Sequence, residues 1–177
     1  MKYYIIFIVQ NIYLIWFDKF IILMDNHKIK VLYVDDEINN LTAFKANFRK
    51  LYEVYTAESA SEGIRILSVN DISVVITDQR MPEMTGVEFL ESIINEYPNP
   101  IRILLTGYAD MEVLVSAVNK GHIYRYLNKP WNEQELTTAI TQAYEVFYLR
   151  KKNIELTKNL LEVNSQLEFM IRQQLLS

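Results

Sequence analysis

The sequence contains no cysteine and only two histidines, His27 and His122, among its 177 residues. The missing cysteine excludes a disulfide framework, a thiol nucleophile and any zinc site built from thiolates. The shortage of histidine leaves little for an imidazole-rich metal site or a Ser-His-Asp relay. Lysine and arginine number 18 against 22 aspartates and glutamates, so the charge gives no basis for direct nucleic-acid binding. Carboxylates must therefore carry most of the chemistry.

Residues 1–27 form an apolar N-terminal extension. Two polar pairs, Gln10-Asn11 and Asp18-Lys19, divide it into runs shorter than a membrane-spanning helix requires. It lacks a small-residue cleavage site of the signal-peptide kind, and Met24 stands directly before a polar run. The sequence favours Met24 as the translation start, with a membrane anchor or a packed extra helix as alternatives. We expect a cytoplasmic protein, tethered to a membrane only if residues 1–24 are translated and inserted.

Between residues 28 and 148, short apolar runs alternate with longer amphipathic ones. This alternation predicts β-α-β units and a parallel sheet covered on both faces. We therefore predict one α/β domain, a doubly wound five-stranded parallel sheet with five helices. The predicted strands are Lys30–Val34, Glu53–Ala57, Ile72–Thr77, Ile101–Leu105 and Tyr124–Asn128, and the helices start near Asn39, Ser59, Gly86, Asp110 and Asn132.

Residues 149–177 continue as a helix with a heptad pattern that begins just inside the domain. A polar residue, Asn153, interrupts an otherwise apolar seam, a device that fixes register and the number of helices in a coiled coil. The pattern favours a parallel homodimer through residues 146–174 over a single surface helix folded back onto the domain. The two seam positions are Val146, Asn153, Leu160 and Leu167, and Leu149, Leu156, Val163 and Met170.

Polar side chains follow four of the predicted strands. Asp35-Asp36-Glu37 comes after the first strand, Asp78 after the third, Thr106 after the fourth and Lys129 after the fifth. Taken singly, each is more typical of a helix cap or a turn. Because open α/β sheets bind ligands at the carboxyl ends of their strands, the joint placement predicts one shared pocket.

Three carboxylates in one pocket repel one another, and a hard divalent cation relieves that repulsion without protonating them. Mg²⁺ is the expected ion, since it binds through few carboxylates and keeps waters and a phosphate oxygen. Asp78 is ionised at neutral pH and could attack phosphorus without a general base. Lys129 would neutralise charge in the transition state, and the Thr106 hydroxyl would donate to a phosphoryl oxygen.

Over residues 28–148 the chain resembles the receiver domains of two-component response regulators. The resemblance rests on Val31-Leu32-Tyr33-Val34-Asp35-Asp36-Glu37, Asp78-Gln79-Arg80-Met81-Pro82-Glu83-Met84-Thr85-Gly86, Leu104-Leu105-Thr106-Gly107-Tyr108 and Tyr126-Leu127-Asn128-Lys129-Pro130-Trp131. It implies the flavodoxin-like strand order 2-1-3-4-5 and phosphorylation by a histidine kinase or phosphotransfer protein.

The resemblance also implies roles for individual residues. Asp78 would accept the phosphoryl group, and Mg²⁺ would be held by Asp35, Asp36, Asp78 and the backbone carbonyl of Arg80. Thr106 and Tyr126 would form the conformational switch. The peptide bond between Lys129 and the following proline would be cis.

The segments Thr106–Asp110 and Gly121–Trp131 are similar to receivers joined by a long helix to cyclic-di-nucleotide phosphodiesterase domains of the HD-GYP type or to phosphatase domains. The expected role is a switch that signals through its coiled coil and not an enzyme, apart from self-phosphorylation and slow self-dephosphorylation. One alternative is a dimeric pseudo-receiver scaffold with an idle pocket. Another is a slow aspartyl-phosphate phosphatase, although Arg80 stands where dehalogenase-like phosphatases place a second acid.

Overall fold

The computed structural model describes residues 28–107, 118–119 and 121–175. These parts of the chain contain one five-stranded parallel sheet in the order β2-β1-β3-β4-β5, which confirms the predicted doubly wound topology. The strands are β1 (Lys30–Val34), β2 (Glu53–Ala57), β3 (Val74–Asp78), β4 (Ile101–Thr106) and β5 (Arg125–Asn128). The helices are α1 (Ile38–Phe48), α2 (Ala60–Val69), α3 (Gly86–Ile93) and α4 (Glu133–Leu175).

Two sequence predictions fall outside the described residues. These are the structure of the N-terminal extension and the start of the helix predicted near Asp110. Among the helices of the described residues, none combines the length and apolar character needed to cross a bilayer.

The predicted start of β3 was wrong by two residues. The Ile72 amide donates to the Asn70 carbonyl at 2.9 Å in a turn, so the strand begins only at Val74. At its other end β3 extends by one residue, because Asp78 is still paired in register with Leu105 of β4. Asp78 is therefore held by the sheet itself rather than by the loop that follows.

Side chains of β1 alternate between the two faces of the sheet. Val31 and Tyr33 pack towards α1 and α4, whereas Leu32 and Val34 pack towards α2 and α3. All four are 0 % exposed, so both faces are covered. This double burial explains the uninterrupted apolar run of the strand. It leaves the strand ends as the place where polar groups of the sheet reach solvent.

Helix α4 belongs to the domain at its start and leaves it midway. Asn132 caps the helix by accepting hydrogen bonds from the Gln134 and Glu135 amides at 2.8 and 3.2 Å. Its first turns bury Leu136, Ile140 and Phe147 against the sheet. Residues 149–174 are exposed throughout. This exposed half does not fold back onto the domain.

Gly86, the first residue of α3, lies against the end of β3 and gives a stability prediction. A Cβ added there would lie 2.1 Å from the Asp78 backbone oxygen and 2.8 Å from Leu104 Cδ1. We expect Gly86→Ala to lower the free energy of unfolding by about 3 kcal/mol in urea denaturation, because the backbone of Asp78 or of α3 must move to make room for the Cβ.

Gly107→Ala is the matched control, since a Cβ at Gly107 meets no described atom within 4 Å. We expect it to change the free energy of unfolding by less than about 1 kcal/mol. Equal effects of the two substitutions would contradict the close approach at Gly86.

Candidate functional site

The ammonium group of Lys129 joins the ends of three strands. Its Nζ lies 2.8 Å from Asp35 Oδ2 and 2.5 Å from Asp78 Oδ1. The Asp35 residue is 0 % exposed and Asp78 is 7 % exposed, whereas the Lys129 side chain is 25 % exposed. One cation at the edge of the pocket is thus shared by two buried carboxylates.

Hydrogen bonding outweighs burial in setting the charges of Asp35 and Lys129. Burial alone would raise the pKa of Asp35, but hydrogen bonds led by those from Lys129 and Tyr33 hold it below its ordinary value. Burial would likewise lower the pKa of Lys129, yet its bonds to Asp35 and Asp78 raise it. Asp35 is therefore an anion and Lys129 a cation at neutral pH.

The loop after β3 is fixed by backbone hydrogen bonds around Asp78. The Arg80 amide donates to Asp78 Oδ2 at 2.8 Å, and the Gln79 amide donates to the Leu105 carbonyl at 2.9 Å. The Gly86 amide closes the loop by donating to the Gln79 carbonyl at 3.0 Å. One carboxylate oxygen of Asp78 thus contacts Lys129 and the other contacts the loop.

Of the two predicted switch residues, Thr106 lies at the pocket end of β4, whereas Tyr126 lies further back on the neighbouring strand β5. Thr106 ends β4 and is buried, and its hydroxyl donates to the Gly107 carbonyl at 3.0 Å. Its own carbonyl accepts from the Lys129 amide at 2.8 Å. Tyr126 is half-buried and pairs in register with Leu104, two residues before Thr106. The Lys129-Pro130 peptide bond is cis, as predicted.

Two residues of the site were missed by sequence reasoning. The buried hydroxyl of Tyr33 donates to Asp35 Oδ2 at 2.5 Å, and Asn40 Nδ2 lies 3.0 and 3.1 Å from the two Asp35 oxygens. Burial, reinforced by the bond to Asp35, raises the pKa of Tyr33, so the phenol keeps its proton and donates. A signal was present, because Asp35 directly follows β1, two residues after Tyr33, and the two-residue period of extended chain places both side chains on one face.

The arrangement of oxygen atoms fits a Mg²⁺ ion. Within the described ranges no three acidic or imidazole side chains converge closely enough to hold a metal by themselves. Mg²⁺ does not need three, since it is commonly bound by one or two carboxylates and completes its shell with water. Asp35 and Asp78 already share one cation, the Lys129 ammonium. Asp36, exposed beside Asp35, and the Arg80 carbonyl would complete the protein ligands.

Comparison with known proteins identifies the family. Residues 31–141, more than half of the chain, match the response regulator receiver domain. The chain belongs to this family. A curated relative, the hydrogenase transcriptional regulatory protein HoxA of Cupriavidus necator, is 38 % identical over 122 residues, which are 69 % of this chain and 25 % of HoxA.

Solved structures agree with this assignment. A response regulator receiver domain protein from Clostridium thermocellum is 37 % identical with a TM-score of 0.64, and the match covers 68 % of this chain and 97 % of that one. The signal receiver domain of an HD domain-containing protein from Pseudomonas fluorescens is 33 % identical with a TM-score of 0.67, covering 72 % and 94 %. This chain spans only about a quarter of the length of the curated relatives it matches.

The shared ammonium gives a second prediction. We expect Lys129→Gln, measured without divalent cations at pH 7, to lower the free energy of unfolding by about 2 kcal/mol. This is less than the roughly 3–5 kcal/mol for a fully buried pair, because Lys129 is partly exposed. The depressed pKa of Asp35 gives stability that is present above its unfolded pKa of about 3.9 and lost as pH falls through its folded pKa. The difference from the parent should therefore shrink below about pH 4.

Lys151→Gln is the control for charge removal. Lys151 also pairs with an aspartate, Asp71, at 2.9 Å, but the two side chains are 64 % and 68 % exposed. The free energy of unfolding of Lys151→Gln should differ from that of the parent by less than about 1 kcal/mol. A Lys129→Gln protein no less stable than Lys151→Gln would argue against a stabilising shared cation.

Proposed function

We propose that this chain is a phosphorylation switch in which Asp78 accepts a phosphoryl group from a histidine kinase or a phosphotransfer protein. The observation that carries the proposal is the buried pair Asp35 and Asp78, held around one cation at the carboxyl end of a receiver-family sheet. In the transfer, an Asp78 oxygen bonds to phosphorus while the bond from phosphorus to the donor imidazole nitrogen breaks. The departing imidazole takes up a proton from solvent.

Each neighbour of Asp78 has a chemical task in this reaction. Mg²⁺, when bound by Asp35, Asp36, Asp78 and the Arg80 carbonyl, supplies positive charge to the phosphoryl oxygens. Lys129 provides a second cation whose flexible chain can follow the incoming group. The Thr106 hydroxyl, bonded to the Gly107 carbonyl, can rotate to donate to a phosphoryl oxygen. Tyr126 is half-buried on the neighbouring strand, level with Leu104, and its ring would take the space that Thr106 vacates.

Phosphorylation is tested directly by intact-mass measurement. Incubated with acetyl phosphate and MgCl₂, the parent chain should gain the mass of one phosphoryl group, and EDTA should prevent the gain. Asp78→Asn, which removes the nucleophilic oxygen but keeps the shape, should gain nothing. An unchanged mass for the parent would favour the alternative of a dimeric pseudo-receiver scaffold.

We infer a switch rather than a turnover enzyme. Arg80 stands two residues after Asp78, and its exposed, basic side chain cannot serve as the second acid of a dehalogenase-like phosphatase. Phosphoryl loss would then depend on water alone and be slow. Continuous phosphate release from small phosphate esters, abolished in Asp78→Asn, is the result that would favour the phosphatase alternative.

The outward route of the signal, in this proposal, is a homodimer formed by residues 146–174 of α4. The seam residues from Leu149 onward are exposed, and an apolar stripe of this length is not typical of a monomer's surface. A groove lined by Val146, Leu149 and Asn153 on one side and by Pro98 and Asn99 on the other opens where the seam leaves the domain. A second α4 would begin its contact there.

The seam and the domain-facing side of α4 lie on different faces of the helix. At about 100° per residue, the stripe through Ile140 and Phe147 is rotated by roughly 140°, about two fifths of a turn, from the stripe through Val146 and Leu149. The receiver therefore covers one side of α4 and leaves the seam accessible to a second copy. A polar residue, Asn153, near the start of the seam supports a two-stranded, in-register pairing.

Two neighbouring leucines provide a matched test of the dimer. Leu160 lies in the seam and Leu161 beside it, and each is 63 % exposed. We expect the parent chain and Leu161→Glu to sediment as dimers, because the seam is intact, and Leu160→Glu to sediment as a monomer, because the change buries a charge in the interface. A monomeric parent, or equal effects of the two substitutions, would count against pairing through this seam.

We further propose that the dimer controls a downstream output rather than binding DNA itself. A similar solved receiver comes from an HD domain-containing protein, whereas HoxA is named a transcriptional regulatory protein. The net charge of −4 gives this chain no electrostatic attraction for nucleic acid. The sequence similarity to receivers joined by a long helix to phosphodiesterase or phosphatase domains favours an output of that kind. We also propose a cytoplasmic location, which membership of the receiver family supports.

A further inference from the structure

The carboxylate of Asp35 is surrounded by four donor groups, about as many as it can bond. Its Oδ1 accepts from the Glu37 amide at 2.9 Å and from Asn40 at 3.0 Å. Its Oδ2 lies 2.5 Å from the Tyr33 hydroxyl, 2.8 Å from Lys129 and 3.1 Å from Asn40. A carboxylate offers about four lone-pair positions. The four donors, Tyr33, the Glu37 amide, Asn40 and Lys129, already fill these positions, so a cation that binds Asp35 must displace one of them.

Lys129 is the donor that can leave most easily. Its ammonium is at the end of a flexible chain and is partly exposed, so it can exchange Asp35 for water or a phosphoryl oxygen. A bound cation would also repel it. Its departure then leaves Asp35 with its uncharged donors.

Tyr33 has no comparable freedom. Its ring is 0 % exposed and packs against Phe44 with a centroid distance of 4.5 Å. Within the described residues the bond that the structure gives its hydroxyl is the one to Asp35, and breaking that bond would leave a buried polar group unsatisfied. Asn40 is constrained in another way, because it lies in the first turn of α1. Both side chains are thus anchored to rigid elements.

We propose that Tyr33 and Asn40 are positioning residues for the divalent-cation site, which hold the Asp35 carboxylate in one orientation when Lys129 leaves it. Neither residue touches the ion, and each acts through Asp35. This inference rests on the proposed Mg²⁺-dependent function and adds to it a determinant of metal affinity. Because the orientation is fixed before the ion arrives, binding does not need to order the carboxylate.

The expected consequence is weaker metal binding with an intact fold. Tyr33→Phe removes one hydroxyl while keeping the ring that packs against Phe44. Loss of a hydrogen bond that orients a metal ligand typically weakens metal binding by about 10–100-fold. We therefore expect the midpoint of a MgCl₂ titration to rise by about tenfold or more in Tyr33→Phe.

The measurement uses the whole chain, freed of metal with EDTA and dialysed, and follows tryptophan fluorescence during the titration. Trp131, two residues after Lys129, packs against Phe44 and Phe48 at centroid distances of 6.2 and 5.7 Å and reports on this region. Tyr52→Phe is the matched control. Tyr52 is also buried and stacks on Phe48, but its hydroxyl bonds to threonines of α4. Its midpoint should equal that of the parent.

Asn40→Ala provides the second variant. It removes the other side-chain anchor of Asp35 from a partly exposed position, so we expect it to fold even if Tyr33→Phe proves unstable by circular dichroism. Its MgCl₂ midpoint should also rise, whereas phosphorylation by acetyl phosphate at saturating Mg²⁺ should persist in both variants.

The possible outcomes separate this inference from the proposed function. Raised midpoints in the folded variants with an unchanged Tyr52→Phe support the positioning role. If the parent is phosphorylated but the folded variants keep the parent midpoint, the positioning role is wrong and the switch stands. If the parent neither responds to Mg²⁺ nor gains a phosphoryl group, both are wrong.

Discussion

The bridge of Lys129 between Asp35 and Asp78 is the interaction on which the rest of the site depends. Two carboxylates buried at neighbouring strand ends would repel each other and favour protonation, and the ammonium group removes that cost. Its hydrogen bond to Asp35 also helps to hold the pKa of that carboxylate below its ordinary value. An ionised Asp35 is what a divalent-cation ligand requires.

The sheet order explains why these three residues meet. β1 pairs with β2 on one side and with β3 on the other, so the chain reverses its winding direction at β1, and Asp35 and Asp78 end adjacent strands on either side of that reversal. Ligand sites of open α/β sheets lie at such a point. β5 is two strands away from β3, and its contribution reaches the pocket because a lysine is long enough to span the end of β4. A shorter cation at position 129 would not make the same bridge.

Most of the fold followed from the sequence, because double burial of parallel strands produces apolar runs with few alternatives. β1 and β2 match their predicted bounds, whereas β3 was misplaced because Ile72 is apolar yet belongs to a turn. The meeting of Asp35, Asp78 and Lys129 followed from the strand-end rule. The roles of Tyr33 and Asn40 did not, because apolar periodicity treats a buried tyrosine as core and cannot show where its hydroxyl points. The hydrogen bonds of Asn40 depend on how α1 turns away from β1, which spacing alone does not specify.

Helix α4 connects the chemistry of the pocket to the exposed seam by a short covalent route. Only Pro130 and Trp131 separate Lys129 from Asn132, the residue that caps α4. At about 1.5 Å per residue, the 43 residues of α4 span roughly 65 Å, so a tilt of its first turn would displace its far end. If an incoming phosphoryl group draws the ammonium from Asp35, the strain falls first on this segment, where Trp131 packs against α1. In the proposed switch, the cap of α4 is therefore the point at which a change of charge in the pocket would become a change in helix orientation.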